Sequence, residues 1–322
     1  MPVLVTGAAG FLGAHIVRAL LRTGEDVRAL IRPDRPCNHI RKVGVELVEG
    51  NILDQEAMIR ACAGAHSVIH CASLVSYRSK HKRALQRINV DGPMNMLRAA
   101  KAGGARRFIH VSSAGVIGAT VEQEVLDETA TSYPDPRHIP YLATKHEGES
   151  RVLAAAWGGF PALVVNPSLM LGPRLDGLPP SPLIAGIRRG RLPWIPVGGV
   201  SVTDVSDVAD AIVRALSAGR PGERYLLAGH NVTWEELYQA IVDDADGRLP
   251  KKRLTLRQLK TRRLYAQFKD KLHLARPPWT PEVYRSYGTY SWFRSDKAMN
   301  ELGYLPRPLP RIIRHTVRKE AP

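Results

Sequence analysis

No run of apolar residues in this 322-residue chain approaches the roughly 18 that a helix needs to cross a bilayer. The chain is therefore expected to be soluble. Cysteine is scarce: Cys37, Cys62 and Cys71 make an odd number and contain no Cys-x-x-Cys pair. That excludes a disulfide framework and the paired spacing of a zinc site, and leaves the three as small apolar filler. His70, His110, His146 and His230 lack metal-ligand spacing with one another as well, so they read as structural histidines and no metal is expected. There is no room for a secretory leader, because Val3-Leu4-Val5 follows Met1-Pro2 directly and enters a glycine-rich turn. The expected location is the cytoplasm.

Acidic side chains are short against basic ones, 30 to 46, for a formal charge of +16. Such a surface attracts polyanions, anionic membranes and anionic substrates without dedicated design. The charge thus speaks of partners and not of fold. Over half of it lies between Lys251 and Arg276, where Lys251, Lys252, Arg253, Arg257, Lys260, Arg262, Arg263, Lys269, Lys271 and Arg276 face the single acid Asp270. Leu256, Leu259, Phe268 and Leu272, with Leu264 and Tyr265 between them, add a rough amphipathic spacing. Three readings stay open for segment 251–276: a solvated helix face, a peripheral membrane contact, or a contact with an acidic or carrier-linked substrate. No nucleic-acid module accompanies the charge, so no nucleic-acid partner is expected.

What is abundant is alternation. Val3-Leu4-Val5, Val27 to Ile31, Val45 to Val48, Val68-Ile69-His70, Phe108 to Val111 and Leu163-Val164-Val165 are short β-branched runs separated by helix-length segments. Gly10 to Arg22 carries Leu12, Ile16 and Leu20 on one helical face, and Asn89 to Ala102 repeats the pattern from Asn89 as its start. Strands alternating with helices predict an α/β fold with a doubly wound parallel sheet. After about residue 170 the rhythm loosens, with Pro and Gly crowding 172–182 and 193–199 and Pro277-Pro278 after the basic stretch. One domain over 1–322 is expected, with a smaller C-terminal substrate region made by insertions at about 171–200 and 245–295. The substrate pocket is expected from the loops 73–82, 120–140 and 171–196.

The first strand runs into Thr6-Gly7-Ala8-Ala9-Gly10-Phe11-Leu12-Gly13, three glycines spaced by three between strand and helix. Gly7 suits the turn, Gly10 a close approach of backbone to pyrophosphate, and Gly13 tight packing of helix on strand. Farther on, Tyr141 and Lys145 stand four apart and so share a helix face, 28 residues beyond Ser113. Together with Asn51 to Asp54, Asn89-Val90-Asp91-Gly92, Val111 to Ala114 and Asn166-Pro167-Ser168, these motifs resemble the extended short-chain dehydrogenase/reductases over nearly the whole chain. Val27 to Arg32 and the Ser-Ser-Ala-Gly sequence look closest to the dihydroflavonol-reductase-like and 3β-hydroxysteroid-dehydrogenase-like branch.

The resemblance implies a Rossmann fold and a catalytic set of Ser113, Tyr141 and Lys145. It implies a cofactor held by Thr6, Gly7, Gly10, Phe11, Leu12, Gly13, Arg32, Asn51, Ile52, Cys71, Ala72, Ser73, Asn89, Tyr141, Lys145, Asn166, Pro167 and Ser168. The family more often has Asp where Asn51 stands, and an Asn oxygen accepts the same hydrogen bond without charge. The second strand ends in Arg32 rather than a carboxylate, which suits the 2′-phosphate of NADP(H) and places NAD(H) second. Arg28 and Arg35 are candidate helpers. The charge of Lys145 and an oxidised nicotinamide would favour the Tyr141 phenolate, making it a general acid and base for carbonyl reduction and alcohol oxidation. Alternation along a strand sends Ser112 and Ser113 to opposite sides, and the family pattern selects Ser113 to orient the substrate oxygen. Asp207 resembles the family's late helix start, in a capping role and not a catalytic one.

The expected function is an NADPH-dependent carbonyl reductase or alcohol dehydrogenase acting on a small-molecule ketone, aldehyde or secondary alcohol. The alternatives are a nucleotide-sugar epimerase that retains its cofactor and a non-catalytic NADP sensor. A sugar dehydratase fits less well, because no acid closely follows Ser113. The resemblance implies a monomer or homodimer.

Overall fold

The computed structural model describes all residues except 36, 131–137, 176–180, 246, 272–280, 286 and 320–322. In the amino-terminal half the apolar runs become strands β1 (Val3–Thr6), β2 (Val27–Ile31), β3 (Glu46–Glu49), β4 (Ser67–His70), β5 (Arg107–Val111) and, after the short β6 (Val125–Leu126), β7 (Ala162–Pro167). Between them lie helices α1 (Phe11–Arg22), α2 (Asn38–Arg41), α3 (Gln55–Cys62), α4 (Lys82–Gln86), α5 (Gly92–Ala102) and α6 (Pro140–Trp157). The carboxyl-terminal half continues with β8 (Leu169–Leu171), α7 (Pro182–Arg188), β9 (Gly199–Asp204), α8 (Val205–Ala218), β10 (Arg224–Leu227), β11 (His230–Thr233) and α9 (Trp234–Ala245). It ends with α10 (Leu256–Lys271), α11 (Pro281–Arg285), β12 (Tyr290–Phe293), α12 (Asp296–Leu302) and α13 (Leu309–Lys319).

Seven strands form one parallel sheet in the order β10-β7-β5-β4-β1-β2-β3, the Rossmann arrangement. Alternate residues feed the two faces: Val3 and Val5 pack with α1 and α8, while Leu4 packs with α3 and α5. From β1 the chain first builds outward through β2 and β3, then returns to place β4 on β1's other edge. Ligands of open α/β sheets bind at such a reversal, outside the carboxyl ends of the strands. Thr6, His70, Val111 and Pro167 stand at those ends.

The loosened rhythm beyond residue 170 hides a second sheet, β11-β9-β12-β6 with β8 on the flank of β9. Its strands have two to six residues and pair across long separations, as Trp292 does with Val125. Pro277-Pro278 and the end of the basic stretch, 272–276, lie outside the described residues.

Two helix starts differ from the sequence expectation. Helical structure begins before Asn89, with a 3-10 turn at Ser79–His81 leading into α4 at Lys82, and Arg87–Asp91 forms a π-turn inside a run that continues into α5. Pro93 has no amide proton to donate to the Asn89 carbonyl four residues back, and the Gly92 amide reaches instead to the Arg87 oxygen, five residues back. In α8 the cap is Asp204, whose carboxylate accepts from the Ser206 amide. Asp207 lies within the first turn and pairs with Arg307 at 2.7 Å.

Candidate active site

Gly7 leaves β1 with φ +67°, and a Cβ there would lie 2.8 Å from the Ala72 nitrogen. A Cβ on Gly13 would lie 2.1 Å from the Gly7 oxygen, so helix and loop meet at a distance only glycine allows. Gly10 caps α1 without a side chain, and its first turn holds no acid. The amides of Phe11, Leu12 and Gly13, which by position lack an intrahelical acceptor, are left for an anion. This bare, glycine-walled helix start fits a dinucleotide pyrophosphate. The opposite wall is tied to it by the Thr6 hydroxyl, which accepts from the Ala72 amide at 3.1 Å and bonds His70 Nδ1 at 2.9 Å. Cys71, Ala72 and Ser73 thereby face the loop across the β1–β4 junction.

On the adenosine side, Arg32 follows β2, about half exposed, with Asp34 at 3.5 Å. Arg28 is committed elsewhere: its guanidinium pairs with Glu46 at 2.8 Å and donates to the carbonyls of Ala61 and Ala63. It is therefore not a free helper. Arg35 closes a turn onto the Arg32 carbonyl through its amide. The Asn51 side-chain oxygen accepts from the Leu53 amide at 3.0 Å, which fixes the turn ahead of α3 and leaves one lone pair for an adenine amino group. Ile52 is buried next to Gly92.

Tyr141 and Lys145 rise from one face of α6, as their spacing requires. Lys145 is fully buried and donates from Nζ to the Val111 carbonyl at 2.7 Å. Burial pulls its ammonium down to about 8, with Cys71 and Glu149 pulling the other way. Ser113 hydrogen-bonds the Tyr141 phenol and accepts from the Gly115 amide at 3.3 Å. Ser112 turns away, its Oγ buried and without a partner among the described residues. Of the two serines, Ser113 is the one brought to Tyr141.

The expected phenolate is not the form this chain alone favours. Burial pushes the Tyr141 phenol above its ordinary value, the neighbouring Tyr77 phenol adds to the push, and only the Ser113 hydrogen bond opposes it. The resting group is a protonated phenol, which is an acid ready to donate.

Asn89 lies in the π-turn and its amide is fully engaged. Its oxygen accepts from the Ser73 hydroxyl and the Leu74 amide, and its nitrogen donates to the Leu74 carbonyl and the Thr144 hydroxyl. It clamps the β4 loop to α6. Asn166, at the end of β7, donates to Glu149 at 2.7 Å and to the Ser113 carbonyl at 3.2 Å. Its side-chain oxygen and the Ser168 hydroxyl are buried without a partner among the described residues, and with Pro167 between them they fit a polar group such as a nicotinamide carboxamide.

Sequence reasoning missed two contributors, Glu149 and Tyr77. Glu149 extends the Tyr141–Lys145 stripe by one more turn, a signal legible in hindsight; it is buried and paired with Arg224 at 3.3 Å. Tyr77, whose ring lies 5.9 Å from that of Tyr141, comes from a loop whose path no local pattern gives. The elevated thiol of Cys71, pushed up to about 12 by burial, stands near Lys145.

Beyond this centre a cavity of about 680 Å³ opens, lined by Gly115, Leu142, Leu256, Leu259, Tyr284 and Tyr287 among others. Ser113 and Tyr141 lie behind its Gly115–Leu142 wall, not on its lining. Of the three loops expected to build the pocket, only 120–140 contributes among the described residues, through Val121, His138 and Ile139. Segments 131–137 and 176–180 lie outside them. The rest comes from α10 and α11, from residues 287–289 and Ser291 of β12, and from Gly115, Gly118, Ala119 and Leu142.

The model of the NAD dependent epimerase/dehydratase family matches residues 3–228. Sterol demethylase protein B of Methylococcus capsulatus is 33% identical over 74% of this chain and 73% of its own. A putative dihydroflavonol 4-reductase of Synechocystis is 31% identical over 71% of this chain and 68% of its own. Further relatives carry reductase or hydroxysteroid-dehydrogenase names. Among solved structures, gox2253 superposes with a TM-score of 0.86 at 28% identity, covering 99% of this chain and 97% of its own.

Proposed function

The chain belongs to the NAD dependent epimerase/dehydratase family, and from that premise we propose that it is an NADPH-dependent carbonyl reductase or alcohol dehydrogenase for apolar molecules. The observation that carries the reading is the placing of Tyr141 and Lys145 on one face of α6, with Lys145 buried against the Val111 carbonyl and Ser113 beside the Tyr141 phenol. When bound, a nicotinamide dinucleotide supplies or accepts the hydride. Ser113 donates a hydrogen bond to the substrate carbonyl oxygen and orients it. Tyr141 gives its proton to that oxygen as the carbon is reduced, so that C=O becomes CH–OH, and solvent reprotonates the phenolate. In oxidation the phenolate takes the hydroxyl proton back. Lys145 stabilises the charge that develops on Tyr141.

Arg32, cationic and accessible at the end of β2, supports NADPH over NADH, since a guanidinium grips a 2′-phosphate by charge-assisted hydrogen bonds. The apolar side chains of Val121, Ile139, Leu142, Leu256 and Leu259 in the cavity lining and relatives named for sterols, 2-alkyl-3-oxoalkanoates and dihydroflavonols support an apolar substrate. Solved nucleotide-sugar epimerases share the fold at 21% and 22% identity, and that likeness carries no substrate. The test is consumption of NADPH by purified protein over a panel of apolar ketones, 3-oxoacyl compounds, sterols and nucleotide sugars, with product analysis. Alcohol formed in step with NADPH lost supports the reading. Interconversion of a sugar with no net loss of cofactor overturns it in favour of an epimerase.

A further inference from the structure

Helix α10 presents a surface that the reaction does not use. Leu264, Tyr265 and Phe268 are 63%, 60% and 61% exposed there, although a folded chain gains by covering bulky apolar groups. Arg257, Lys260 and Arg263 precede them on the same helix and among the described residues pair with no carboxylate, and Asp270 is the helix's one acid. Solvation of a basic protein accounts for the cations but not for three large apolar side chains at the same place. The opposite side of α10 is fixed to the body: Leu259 and Ala266 are buried, and the Arg262 guanidinium stacks at 4.3 Å on Trp194.

Next to Trp194 a second cavity of about 690 Å³ is lined by Arg188, Arg189, Arg248, Lys251 and Lys252, with no acidic residue in its lining. Residues 253–255 lead from it into α10, and Arg253 bridges to Ile195. Basic groups around an exposed apolar cluster are the surface that lies in the headgroup region of an anionic bilayer, with cations at the phosphates and apolar groups among the upper acyl carbons. An acidic carrier protein would be met by the cations alone and leaves the apolar cluster unexplained.

We propose that α10 is a docking surface for an anionic lipid bilayer, and that the adjoining cavity receives its substrate from there. The geometry of entry is on the same helix: Leu256, Lys260, Arg263 and Gln267 line the cavity of about 680 Å³, one helical face away from Leu264 and Phe268. The delivery step rests on the reductase reading; the docking does not.

The experiment is co-sedimentation of the full chain with vesicles of equal parts phosphatidylglycerol and phosphatidylcholine, and with phosphatidylcholine alone, across a range of salt. Binding to the anionic vesicles, weakening as salt screens the charge, is the expected result. Leu264→Ser/Phe268→Ser should lower vesicle affinity at least roughly tenfold, and Arg257→Glu/Lys269→Glu should do the same, while turnover of a water-soluble carbonyl stays unchanged in both. No binding to anionic vesicles, binding indifferent to the Leu264/Phe268 change, or binding only to an acidic carrier protein overturns the proposal. Because sedimentation needs no turnover, its failure is distinguishable from failure of the reductase reading.

Discussion

Tyr141, Lys145 and Glu149 occupy successive turns of α6 and are held from three strands: Ser113 and Val111 stand at the end of β5, and Asn166 and Arg224 on β7 and β10. Removing a member should therefore act through its partners. Glu149→Ala leaves Arg224 and the Asn166 amide without their acceptor, which for a buried pair costs about 3–5 kcal/mol, readable by urea denaturation; Glu149→Gln, which keeps an acceptor for Asn166, should recover part of that loss. Lys145 makes a prediction about pH. Burial holds it near about 8 against 10.5 when unfolded, so between those values the unfolded chain binds the extra proton and stability rises with pH. Below about 8 the full cost of a buried charge is present. Unfolding free energy measured across that interval should climb by up to a few kcal/mol in the wild type relative to Lys145→Met; parallel curves would contradict the assignment.

At the scale of elements, the π-turn of 87–91 and α6 depend on each other. A Cβ on Gly148 would lie 2.2 Å from the Asn89 carbonyl oxygen, so Gly148→Ala must push α6 off the turn. A loss of about 1–3 kcal/mol in stability is expected, together with a lower kcat, since Asn89 also holds Thr144 one residue from Lys145; an unchanged denaturation midpoint would refute the contact. The parallel sheet was legible because each of its first strands is a separate β-branched run, and the Tyr141–Lys145 stripe because helical spacing is fixed. The π-turn was not legible: helical periodicity passes through Asn89 without interruption, and only the missing amide of Pro93 marks the place. The second sheet was hidden by strands too short to show alternation, whose partners lie as far apart as Thr120 and Tyr290. Tyr77 and Arg224 reach the site through loop path and strand order, which local pattern does not encode.

Over the whole molecule, basic groups stand at both ends of the proposed site: Arg32 after β2, and α10 with its basic neighbours beside the cavity. Arg32→Asp should reverse the preference between NADPH and NADH, each bidentate contact with phosphate being worth about 1.5–3 kcal/mol; fluorescence titration of both cofactors checks this, and an unaltered preference would move the 2′-phosphate away from Arg32. In the proposed reaction Tyr141 moves the proton while the fold only positions the rest. Its most direct measurement is single-turnover NADPH oxidation by wild type and Tyr141→Phe with one accepted ketone, alongside NADPH binding to both. Equal binding and a rate about 10²–10⁴ slower in the variant are expected; a Tyr141→Phe protein that reduces the ketone at the wild-type rate would remove Tyr141 from the proton transfer.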